Sequence, residues 1–63
     1  MITRIKDNNK NYRFVTQQYE VGLYVAVYND DNSSLITQYG VDVSEEEFHK
    51  KLREEYKDSL IID

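Results

Sequence analysis

This chain has no cysteine, no proline and no tryptophan, with two glycines and one histidine in 63 residues. Each absence excludes something. Without cysteine there is no disulfide and no thiolate metal site. One histidine, His49, cannot supply a histidine-rich metal centre. No apolar run approaches the ~18–20 residues that a membrane-spanning helix needs. The opening Met-Ile-Thr-Arg-Ile-Lys is not followed by the apolar stretch of a signal peptide. The expectation is a soluble cytoplasmic protein with no membrane association.

The length allows one small α+β domain over residues 1–63. Chains of this size bury only about 60% of their unfolded surface and usually need a staple. With disulfides and cysteine- or histidine-rich metal sites excluded, oligomerisation is the remaining device. A homodimer is therefore expected.

The net charge of −4 is unevenly spread. Residues 1–28 carry four basic and two acidic side chains, and residues 29–63 carry four basic and ten acidic ones. An acidic half lacks the basic surface that phosphate binding requires, which argues against nucleic acid as a partner.

Val21–Tyr28 reads as a strand with two usable faces. Val21, Leu23, Val25 and Val27 point to one side, and Gly22, Tyr24, Ala26 and Tyr28 to the other. Ile2–Lys6 and Tyr12–Gln17 are shorter strand candidates, separated by the turn cluster Asp7–Asn11. Asn29–Ser34 is a strong turn signal, and Leu35–Val41 returns as the next strand.

If Tyr28 sits opposite Leu35, then Val27 faces Ile36, Ala26 faces Thr37 and Tyr24 faces Tyr39. One face then collects Leu23, Val25, Val27 and Ile36. The other collects Tyr24, Tyr28, Leu35 and Tyr39. This second set is the expected interface, because tyrosine brings large contact area with a polar handle. The open edge of the sheet is the other expected contact.

Ser44 and Glu47 make the capping box Ser-x-x-Glu, and Val43 with Phe48 makes a hydrophobic staple. Glu45, Glu46 and Glu47 favour the positive end of the helix dipole. Phe48, Leu52 and Tyr56 repeat every four residues, so the helix is expected from about Glu45 to about Asp58. Leu60-Ile61-Ile62 is an apolar tail that docks on the sheet or adds a short edge strand. The fold class is α+β: an antiparallel sheet of three or four strands with one C-terminal helix packed on one face.

No catalytic motif is present. His49 with Glu45 or Arg53 reads as ordinary helix-surface pairing. Asn29–Ser34 is rich in oxygen but lacks the glycine and glutamate positions of an EF-hand loop. No cofactor or metal is expected, and the protein is expected not to be an enzyme.

An acidic surface of Glu45, Glu46, Glu54, Glu55 and Asp58, with Asp30, Asp31 and Asp42 elsewhere, could imitate a phosphate backbone. In size and composition the whole chain resembles the phage inhibitors of uracil-DNA glycosylase, which are very small, acidic and cysteine-free. It carries no diagnostic motif of theirs, so the resemblance transfers no functional residue. Lys50, Lys51, Arg53 and Lys57 dilute the acids. The favoured function is a small bacterial or prophage-type interaction module that binds itself, with a host protein as a further partner. The alternative is an acidic inhibitor of a DNA-acting enzyme.

Overall fold

A computed structural model describes residues 1–57 and the backbone of 60–62. Five strands and one helix follow in the order β1 (Ile2–Asp7), β2 (Lys10–Gln18), β3 (Leu23–Asn29), β4 (Leu35–Val41), α1 (Glu45–Glu55) and β5 (Leu60–Ile62). The strands form one antiparallel sheet with the order β4-β3-β2-β1-β5. The α+β class with its C-terminal helix on the sheet is as expected. The apolar tail does become an edge strand, beside β1, and brings the sheet to five strands.

Local chemistry explains the turns. Asn8, between the paired residues Asp7 and Lys10, has φ 58°, a left-handed conformation that asparagine tolerates. In Asn29–Ser34, Asn29 Oδ1 accepts from the Asp31 N–H at 2.9 Å and Asn32 Oδ1 from the Ser34 N–H at 3.0 Å. These short polar side chains close the turn on themselves. Between β2 and β3, Gly22 has φ +89°, and a Cβ there would lie 3.2 Å from the Val41 carbonyl oxygen. The strand therefore begins after Gly22. Val21 is left 87% exposed rather than in the core.

The core is Ile5, Phe14, Leu23, Val25, Val27, Phe48 and Leu52. Phe14 is its centre, with ring centroids 6.4 Å from both Phe48 and Tyr56. Burying one such aromatic contributes about 1.5–3 kcal/mol. The helical stripe Phe48, Leu52 and Tyr56 faces the sheet as its spacing predicts, and α1 lies chiefly over β2.

Ser44 is the N-cap: its Oγ accepts from the Glu47 N–H at 3.2 Å. Gln18 Oε1 takes a second free helix N–H, that of Glu45, at 2.8 Å. Tyr56 is the C-cap, so the helix ends before the expected Asp58, which lies outside the described residues.

One irregularity reorganises the hairpin. Tyr28 pairs with Leu35 as expected, but Val27 pairs with Thr37. Ile36 is the extra residue of a β-bulge. Beyond it every expected pairing shifts by one: Ala26 faces Gln38, Val25 faces Tyr39 and Tyr24 faces Gly40. Directly opposed residues share a face, so Tyr39 belongs with Val25 on the helix side. Ile36 is 52% exposed and is no part of the core.

Candidate functional site

The expected tyrosine interface is divided by this bulge. Tyr24, Tyr28 and Leu35 remain on the outer face, whereas Tyr39 is on the helix side. The outer face also carries contacts among its own side chains. The Arg13 guanidinium lies 4.9 Å from the centre of the Tyr28 ring. Asp30 holds it there through Arg13 Nη1 at 3.2 Å, and also meets Arg4 Nε at 3.5 Å. The Tyr24 hydroxyl donates to Gln38 Oε1. These contacts tie Tyr24 and Tyr28 into the outer surface of the sheet, where Tyr24 is 36% and Leu35 49% exposed.

The helix side of β4 is open. Because α1 sits over β2, it leaves a groove of about 530 Å³ between itself and β4. Thr37, Tyr39 and Val41 form its β4 wall, Phe14 and Val27 its floor, and Phe48, Leu52 and Tyr56 its helix wall. Lys51 and Glu55 stand at the rim. Burial, then the Glu55 carboxylate, raises the Tyr39 hydroxyl above its ordinary pKa. The same two causes, in the same order, raise that of Tyr56, with Tyr12, Asp7 and Tyr39 adding to the effect.

β4 is also an edge strand. Leu35–Gly40 are all exposed, and the strand Leu-Ile-Thr-Gln-Tyr-Gly-Val contains no charged residue. Natural edges are usually blunted by charge, proline or short length. This one carries only the bulge.

The direction of its backbone groups follows from the ladder. Hydrogen-bonded pairs alternate along antiparallel strands. The Asp30 N–H donates to Asn11 O at 2.8 Å and the Tyr19 N–H to Gly22 O at 3.1 Å. Between these pairs, Tyr24, Ala26 and Tyr28 direct their backbone toward β2, and Leu23, Val25, Val27 and Asn29 toward β4. The Asn29 N–H bond to Ser34 O at 2.9 Å agrees. Tyr39 and Val41, opposite Val25 and Leu23, are therefore bonded to β3. Gln38 and Gly40 direct their N–H and C=O out of the sheet. Sequence reading did not single out these two residues as an interface. The missing charge along β4 was the available signal.

The acidic residues are dispersed. Glu46, Glu54 and Glu55 are exposed on α1, alongside Lys50, Lys51 and Arg53. Glu45 is half-buried instead of on an open acidic surface. It accepts from Thr16 Oγ1 at 2.8 Å and lies 3.6 Å from the Met1 amino group. The Thr16 hydrogen bond is the largest cause holding its carboxyl below the usual range. The Met1 amino group and His49 add to this, against an opposing effect of burial.

His49 is not the exposed helix histidine its spacing suggests. It is 6% exposed, and its Nδ1 is hydrogen-bonded to Thr3 Oγ1 on β1 at 2.9 Å. Its Nε2 is buried without a hydrogen-bond partner.

Among the described residues, no helix is long and apolar enough to cross a membrane, and no three His, Asp or Glu side chains cluster as metal ligands would. Comparison with family models, with curated proteins and with solved structures finds no match for this chain.

Proposed function

We propose that this chain is a non-enzymatic, cytoplasmic interaction module that associates with a second copy of itself through the β4 edge. The observation that carries the reading is the combination at β4: an uncharged edge strand, two residues with outward backbone groups, and an apolar groove alongside. An unpaired edge is a ready template for another strand. Adjacent apolar wall residues add the side-chain contacts that main-chain pairing lacks. The reactive-looking side chains are engaged structurally. His49 is bound to Thr3, Glu45 to Thr16, and Asp30 to Arg13 and Arg4.

Sedimentation velocity at tens of micromolar tests the proposal. A dimer is expected. A clean monomer at that concentration would overturn self-association and leave β4 to some other protein.

A further inference from the structure

We infer, resting on the dimer reading above, that two copies join β4 to β4 as an antiparallel pair about a two-fold axis at Tyr39. Gln38 of each copy then faces Gly40 of the other.

The inference follows from register. A two-fold antiparallel pairing that continues the sheet must place outer-face residues opposite outer-face residues. It must therefore be centred on a residue, since centring between two residues would oppose Gln38 to Tyr39 of the second copy. Three centres bring outward backbone groups together. Centring on Gln38 opposes Gln38 to itself and then sets Gly40 against Ile36, where the bulge interrupts the strand. Centring on Gly40 opposes Gly40 to itself and sets Gln38 against Asp42, beyond the end of β4. Centring on Tyr39 uses only the regular segment Thr37–Val41. Gln38 meets Gly40 of the second copy, and Gly40 meets Gln38 of the second copy. Each such pair exchanges both backbone hydrogen bonds.

The surroundings fit a second copy as the occupant. β4 itself carries no charged residue, so pairing strand to strand sets no like charges directly opposite each other within the ladder. The two Tyr39 side chains oppose each other on the helix side as a non-hydrogen-bonded pair, the closer of the two kinds. Cross-strand aromatic pairs of this type are favourable. The helix lies over β2 and leaves that side of β4 clear. The opposite edge, β5, has only three residues, so it offers a much shorter template.

The absence of native cysteine makes the test specific. In a non-hydrogen-bonded pair the Cα atoms are about 4.5 Å apart, within the range a disulfide accepts. Tyr39→Cys should oxidise to a covalent dimer about tenfold or more faster than Gln38→Cys or Leu35→Cys, whose Cα atoms lie farther apart across the axis. A measurement on the unsubstituted protein guards against misfolding of these variants. The Gln38 and Gly40 amides should exchange with solvent at least about tenfold more slowly in the dimer than after dilution to monomer, with the Tyr39 amide protected in both. A dimer by sedimentation whose Gln38 and Gly40 amides exchange freely, or whose Tyr39→Cys variant cross-links no faster than the others, would overturn this register and leave self-association standing. A monomer by sedimentation would overturn both.

Discussion

Thr3 Oγ1 and His49 Nδ1 are hydrogen-bonded at 2.9 Å across 46 residues of sequence. The bond ties β1 to the middle of α1. Thr3 is 1% exposed, so its hydroxyl has no access to bulk water. His49→Leu preserves much of the volume and strands that hydroxyl. The expected loss is about 1–3 kcal/mol. Adding Thr3→Val removes the stranded hydroxyl, and the double variant should recover most of the lost stability. Urea unfolding of the two single variants and the double variant checks this. Additive losses would show that the pair is not coupled.

Ser44→Ala removes the acceptor of the Glu47 N–H and should cost about 0.5–2 kcal/mol. For a chain of this length total stability is only about 3–9 kcal/mol at the usual per-residue value. The melting temperature should therefore fall visibly. An unchanged melting temperature would mean that Gln18, which holds the Glu45 N–H, caps the helix sufficiently on its own.

Glu45 should give the fold an acid-sensitive component. Its folded carboxyl titrates below its ordinary value, chiefly through the Thr16 hydrogen bond. A depressed carboxyl stabilises the fold above its unfolded pKa, and that contribution disappears as pH falls through the folded value. Glu45→Gln should therefore be less stable than the parent at neutral pH, with the gap closing on acidification. Melting temperatures of both proteins across the carboxylate range measure it, and a gap that stays constant with pH would contradict the assignment.

Gly22→Ala should destabilise the β2–β3 turn. The position has positive φ, and the added Cβ would come within 3.2 Å of the Val41 carbonyl oxygen. Strained backbone of this kind costs about 1–3 kcal/mol. Gly40→Ala is the control. A Cβ there would meet its nearest neighbour, the Leu23 carbonyl oxygen, at an ordinary 3.9 Å. Thermal unfolding at a dilution where the protein is monomeric, so that the place of Gly40 on the β4 edge does not enter, should separate the two variants clearly.

Charge reversal separates self-association through β4 from acidic mimicry. Glu46→Lys with Glu54→Lys changes exposed helix positions that do not line the groove beside β4. If β4 pairing holds the dimer, the sedimentation profile should be unchanged and salt should have little effect, since exposed charges contribute mainly screened, long-range terms. Loss of the dimer on reversal, or its dissociation in salt, would move the interface to the acidic helix.

The local signals were legible in the chain itself. Ser44 followed by Glu47 marks the helix start because capping chemistry is contained within four residues. Asn29–Ser34 marks a turn because its side chains bond to its own backbone. The stripe Phe48, Leu52 and Tyr56 names the buried helix face because helical geometry depends on spacing alone. What tertiary structure decided was everything that depends on a neighbouring strand. Ile36 shows no sign in sequence of being an extra residue, since a bulge is defined only against its partner β3. Yet that residue moves Tyr39 to the helix side and turns Gln38 and Gly40 outward. His49 has the spacing of a surface residue and is buried because Thr3, 46 residues away, supplies its partner. Periodicity reports which residues share a face of one element, whereas burial and pairing depend on which other element arrives there.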